Sequence, residues 1–207
     1  MALVSDQDRA RIKAAVEAVE ATTTGEFVVV IAQQADEYLF IPILWAALLA
    51  LALPGAIHFS AIDWAIGYSY PIQISAFVLS AVLFRWAPLK LRLIPKAIKH
   101  ARAQRLAQQQ FLAQNLHHTR DRTGILLFIS EAEHHVEIIA DQGINNRVAA
   151  GTWDQVIAAL VTHIKTGRVA DGLIGAIEEC GQQLQTHFPH REDEADKNEL
   201  PDNLVEI

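Results

Sequence analysis

Two apolar runs, residues 39–57 (LFIPILWAALLALALPGAI) and 68–87 (YSYPIQISAFVLSAVLFRWA), constrain this chain more than any other part of it. The first carries no charge, and the second none before Arg85. Each approaches the roughly 20 residues that a helix needs to cross about 30 Å of hydrocarbon. A backbone in lipid must satisfy its own hydrogen bonds, so short spans of this kind are expected as helices. Only residues 58–67 separate them, with Asp63 the one charge, which is enough for a turn and too little for a domain. The expectation is a two-helix transmembrane hairpin over 38–87.

The flanks orient it. Arg85, Lys90, Arg92, Lys96, Lys99, Arg102 and Arg105 follow the second run, and no Asp or Glu occurs from 85 to 118. The connecting loop has no Lys or Arg. By the positive-inside bias the loop faces outward and both chain ends are cytoplasmic. Tyr38, Phe40, Trp64, Tyr68, Tyr70 and Trp86 fall near the expected interfaces, where aromatic rings concentrate. The basic stretch 85–105 is expected to meet anionic lipid head groups. The net charge of −7 sits on the rest of the chain and opposes nucleic-acid binding. Cys180 is the only cysteine, so no intrachain disulfide can form, which suits a reducing cytoplasm. A cleavable signal peptide is not expected, because the first apolar run begins behind an acidic, amphipathic segment.

The remaining chain is long enough for one ordinary domain. Residues 1–37 supply its first helix and strand. Ser5 precedes a helix with Ile12, Val16 and Val19 at helical spacing, and residues 26–32 (EFVVVIA) read as a strand covered on both faces. Residues 88–189 supply the remainder: a helix over 96–116, strands over 123–130 and 134–141 paired as an antiparallel hairpin, and helices over 148–166 and from Asp171 to before Pro189. Residues 190–207 are acidic, lack a core period and read as a flexible tail.

If the crossover returns to the same sheet, the first two strands are parallel and the third opposes them. Thr24 and Glu26, Arg122 and Thr123, and Asp141 then share one sheet edge, facing the cytosol. The helix start after Asp141, with Arg147, could help to hold a phosphate there. Two carboxylates and an arginine could bind a divalent cation or a phosphoryl group, though an ordinary structural ion pair is the first expectation for such a set. The adjacent pairs His117-His118 and His134-His135 point to different sides of their elements and lack zinc-ligand spacing. Cys180 and Trp153 read as core.

The segments TTTGEFVVVIAQQADEY and RTGILLFISEAEHHVEIIADQGINNRV, the Trp153 helix and the HFP…NELPD tail together resemble the TPM-domain family, and more closely its bacterial membrane branch, in which two transmembrane spans interrupt the domain. That resemblance covers nearly the whole chain. It implies an α/β fold, an α/β/α sandwich with a small mixed sheet, here interrupted by the hairpin. It places Asp141 and Gly143 in the family's strand-end motif. Relatives in photosynthetic membranes are described as acid phosphatases, and others as accessory or assembly factors for membrane complexes. Unlike those relatives, this chain is not expected to carry an export signal, and the hairpin is expected to replace the connection after the first strand.

Two expectations of function stand together. One is a multi-pass protein of the bacterial inner (plasma) membrane that presents its α/β domain to the cytosol and binds a membrane-protein partner, with no cofactor required. The other is a phosphatase acting on phosphomonoesters, with Glu26 and Asp141 as catalytic carboxylates holding a divalent cation (Ca²⁺ or Mg²⁺), and Arg122, Thr123, Gly143 and Arg147 around the phosphate.

Overall fold

The computed structural model describes residues 4–59, 69–119, 121–189 and 204–207. The chain divides into two compact units, Met1–Ala35 with Arg102–Ile207, and Asp36–Ala101.

The first unit opens with α1 (Asp6–Glu20). The Ser5 side chain accepts the Asp8 N–H at 3.2 Å and donates its hydroxyl to the Asp8 carboxylate at 2.7 Å. That donated bond leads the contacts holding the Asp8 carboxyl below the usual carboxylate range. Strands β1 (Glu26–Ala32), β2 (Gly124–Ser130) and β3 (His135–Ala140) follow the expected pattern, β1 parallel to β2 and β3 antiparallel to it.

Alternation along β1 splits its side chains between two cores. Phe27, Val29 and Ile31 pack with α1, α7 (Thr152–Lys165) and α8 (Val169–His187). Val28, Val30 and Ala32 pack with Ala103, Ala107 and Phe111 of the helix Lys96–Ala113, called α5 below. Every residue from Phe27 to Ala32 is buried, as a strand covered on both faces requires. The result is a mixed sheet between helical layers.

Among the described residues the sheet has four strands, in the order β3-β2-β1-β4. The last is β4 (Leu204–Glu206), parallel to β1 with Val29 opposite Leu204. This corrects the flexible tail expected over 190–207 at its final residues; 190–203 lie outside the described residues. The short helix α6 (Gln142–Asn145) follows β3.

The second unit holds α2 (Phe40–His58), α3 (Ser69–Leu83), α4 (Ala87–Leu93) and the first residues of α5. Among the described residues α2 is the one helix long and apolar enough to cross a membrane, and α3 is a shorter apolar helix. The expected turn, with Asp63 and Trp64, lies outside the described residues. The two helices pack on each other. Their buried positions include the small residues Ala46, Ala50 and Ser80, while Leu44, Leu48, Leu51, Leu79 and Val82 are exposed. Tyr38, Ile41 and Ile94 form a separate small core. Trp45 Nε1 donates to Leu93 O at 3.2 Å, and Lys90 Nζ to Glu37 O at 3.0 Å.

Candidate functional site

The register brings the expected residues to one end of the sheet. Glu26 lies opposite Gly124, and the Asp141 N–H donates to Gly124 O at 2.9 Å. Glu26 and Asp141 therefore flank β2, roughly 9–10 Å apart at two strand spacings. The space between them on that face is filled. A Cβ added at Gly124 would stand 2.3 Å from Leu116 O and 2.9 Å from Leu116 Cβ, so the turn Leu116–His118 rests directly over Gly124.

Thr123 is 1% exposed and fully engaged in the backbone here. Its hydroxyl donates to Thr24 O at 2.8 Å, its N–H donates to Thr119 Oγ1 at 3.0 Å, and its carbonyl accepts the Glu26 N–H at 3.2 Å. That is a positioning role for the start of both strands. Arg122 is exposed, with φ at +56°.

Asp141 caps α6. Its Oδ1 accepts the Gln142 N–H at 2.6 Å, while Oδ2 is buried with no hydrogen-bond partner among the described residues. A buried carboxylate oxygen left unpaired is uncommon and calls for a reason. Gly143 packs hard against the strand-two approach, since a Cβ there would stand 2.5 Å from Asp121 O and 2.6 Å from Arg122 O. Only glycine permits that approach without a backbone shift.

A cavity of about 160 Å³ opens at this end, lined by Thr24, Asp121, Gly143, Arg147, His187 and Phe188, with Pro189. Arg147 is held at the end of α8: Nη1 donates to His187 O at 3.0 Å, and the guanidinium lies 4.6 Å from the centre of the Phe188 ring. A cation at a helix C-terminus is favourably placed against its free carbonyls. Asp121 and Arg147 put one charge of each sign on the cavity, so a lone phosphate would meet both attraction and repulsion there.

The structure thus gathers Thr24, Gly143 and Arg147 into one cavity. Glu26, Arg122, Thr123 and Asp141 lie at the same sheet end without lining it. Asp121, His187 and Phe188 were not among the expected site residues. The Phe188 carbonyl meets Thr24 only because α8 ends against the turn before β1, where the Thr24 N–H donates to Phe188 O at 3.1 Å. Among the described residues no group of three or more His, Cys, Asp or Glu is placed to hold a metal. With Glu26 and Asp141 two strand spacings apart and Leu116 over Gly124 between them, the side chains present do not fit a cation held by both carboxylates. His117 and His118 differ from expectation, with ring centroids only 4.0 Å apart. Cys180 lies in the core, where burial pushes its thiol up to about 12.

A four-stranded mixed sheet with helices on both faces, closed at one end by a short helix after β3, defines a mixed α/β domain. The TPM domain matches residues 93–183 of this chain. Among solved structures, the NMR structure of BA42 protein from the psychrophilic bacterium Bizionia argentinensis is similar, with a TM-score of 0.60, 19% identity, and coverage of 98% of this chain and 94% of that one. At that identity the likeness is one of fold. No curated protein matches the sequence.

Proposed function

We propose that this chain is an integral protein of the bacterial inner membrane that presents its TPM-like domain to the cytosol and acts by binding, as an accessory or assembly factor for another membrane protein. The observation that carries this reading is the arrangement of side chains in the second unit. Leu44, Leu48, Leu51, Leu79 and Val82 of α2 and α3 face outward, while the small residues Ala46, Ala50 and Ser80 are buried. Water drives the opposite arrangement, whereas lipid favours close helix contact through small residues. The basic stretch 85–105 supports cytoplasmic chain ends and contact with anionic head groups.

The test is alkaline carbonate extraction of membranes from expressing cells, combined with thiol labelling. In a Cys180→Ala background, Lys13→Cys should label only after permeabilisation and His58→Cys in intact spheroplasts. Release of the chain into the carbonate supernatant would sink the reading. Reversed labelling would overturn the orientation alone.

A second reading, phosphomonoester hydrolysis, has one observation in its favour. Asp141 keeps a buried, unpaired carboxylate oxygen two residues before Gly143, which lines the cavity, and the matching family carries phosphatase in its name. Purified protein should be assayed on p-nitrophenyl phosphate with and without Mg²⁺, Mn²⁺ or Ca²⁺. Turnover abolished by Asp141→Asn in a folded protein would establish this reading, and its absence under every ion would end it.

A further inference from the structure

Among the described residues β3 has a neighbour on one side only. The Asp141 N–H bond to Gly124 O sets the phase of the antiparallel ladder. Alternation then turns the N–H and C=O of His135, Glu137 and Ile139 toward β2, and those of Val136 and Ile138 away from it. The next outward group, the Ala140 carbonyl, is taken by Asn145 Nδ2 at 2.6 Å, which closes the row at that end. The open part of the edge is therefore the stretch from Val136 to Ile138.

A second observation sits beside this edge. A cavity of about 550 Å³ lies between the sheet and the α7–α8 layer, lined by Ile129, Val136, Val161, Ile164 and Val169 among others. Its volume falls within the range of ligand pockets, roughly 300–1,000 Å³. Val136, Val161, Ile164 and Val169 are only partly buried. The polar wall carries Lys165 and Glu131, one charge of each sign, with His134 and His135. His135 is engaged with Glu137 at 3.0 Å. This balance does not select an anionic lipid head group. It suits a peptide with charges of both signs flanking an apolar centre.

We propose that β3 is the docking edge for an extended peptide segment of a partner protein, added as a further strand with an apolar side chain seated in this cavity. Residues directly opposite in paired strands share a face. The peptide residue opposite Val136 therefore points to the cavity side, and the residue two positions away, opposite Ile138, lies on the same side. Backbone hydrogen bonds to the Val136–Ile138 edge supply affinity, and the cavity supplies selection for apolar-x-apolar. The inference rests on the binding function proposed above and names where and what the domain binds.

The probe is a fluorescein-labelled peptide, Ser-Gly-Glu-Leu-Thr-Val-Lys-Gly, titrated against the full chain in detergent micelles, beside a control with Leu and Val replaced by Ser. The apolar peptide should bind saturably and the control should not. Val136→Pro removes an outward N–H and no ladder bond, a place where an edge strand tolerates proline. Val161→Phe narrows the cavity from the opposite wall. Each should weaken binding by about tenfold, with thermal unfolding checked beside it. Amide exchange at Val136 and Ile138 should slow in the complex. No saturable binding, or equal binding by the control or by both variants, overturns the proposal. Sedimentation showing a dimer that both variants dissociate also overturns it, assigning the edge to a second copy. Peptide failure in a chain that still resists carbonate extraction counts against this edge alone, leaving the membrane reading intact.

Discussion

Arg9 on α1 grips Glu206 on β4 through two parallel hydrogen bonds, Nε to Oε1 at 2.9 Å and Nη2 to Oε2 at 2.7 Å. Paired donors on a planar guanidinium fix orientation as well as distance. The Glu206 carboxylate is also the main reason that the Arg9 guanidinium is held above its ordinary value. This pair clamps the last strand against the sheet, where the Ile207 N–H donates to Ile31 O at 3.0 Å. Arg9→Ala should speed amide exchange at Ile207 while leaving Leu127, in the sheet centre, protected. Equal exchange at Ile207 in both proteins would show that the backbone bonds hold β4 without the clamp.

Two glycine substitutions should move stability in opposite directions. Gly143→Ala would drive a methyl against the Asp121 and Arg122 carbonyls, and backbone cannot swing aside as a side-chain tip can. A loss of about 1–3 kcal/mol is expected. Gly175, inside α8, has nothing within 4 Å of an added Cβ. Gly175→Ala should gain about 0.5–1 kcal/mol from helix propensity. Urea unfolding of both proteins reads the sign directly.

The Cys180 thiol gives stability a pH dependence at the alkaline end. Its value is raised from 9.0 to about 12, first by desolvation and then by Glu179. The folded state therefore keeps the proton that the unfolded chain releases. The contribution is complete below pH 9 and is lost as pH rises from there through about 12. Cys180→Ala should flatten the decline in that window. Ellman's reagent should react slowly with the native protein at pH 8 and at once in denaturant.

Leu49 lies at the middle of α2 and is 45% exposed. If α2 spans lipid, Leu49→Arg should raise the apparent insertion free energy by about 2.5–3.5 kcal/mol. A translocation reporter fused after α2 measures this. An unchanged insertion efficiency would place α2 outside the hydrocarbon.

Much of the sheet was legible because its strands are continuous apolar runs. Residues 26–32 and 124–130 have no plausible exposed face, and Ser5 announces α1 with its own side chain. β4 was not legible, since Leu204–Glu206 is too short to show a period of two and follows an acidic stretch. α4 was not legible either: Pro88 suggests a break, yet a proline in the first helical turn loses no hydrogen bond, and α4 begins there. The sequence starts the last helix at Asp171; α8 begins at Val169, so Asp171 lies within its first turn, and its carboxylate accepts from Arg11 Nη2 at 2.8 Å, a partner distant in sequence. The candidate site shows the same division. Gly143 could be singled out from the strand-end pattern and Arg147 from the helix start after Asp141, while Asp121, His187 and Phe188 join them only through the return of α8 to Thr24. Local chemistry marks local residues, and tertiary closure adds the others.

The position of β1 in the sheet has a consequence for how the chain matures. Val29, Val30 and Ile31 pair on one side with Leu127, Phe128 and Ile129, and on the other with Leu204, Val205 and Glu206. One edge of β1 can therefore pair once residues 124–130 emerge, whereas the other waits, unpaired, for residues 204–206. Contacts of such sequence separation slow folding and lengthen the period of exposure to wrong partners. A ribosome stalled before residue 204 would hold a nascent chain whose sheet still lacks β4, so this edge of β1 closes only after that distant segment has cleared the ribosome.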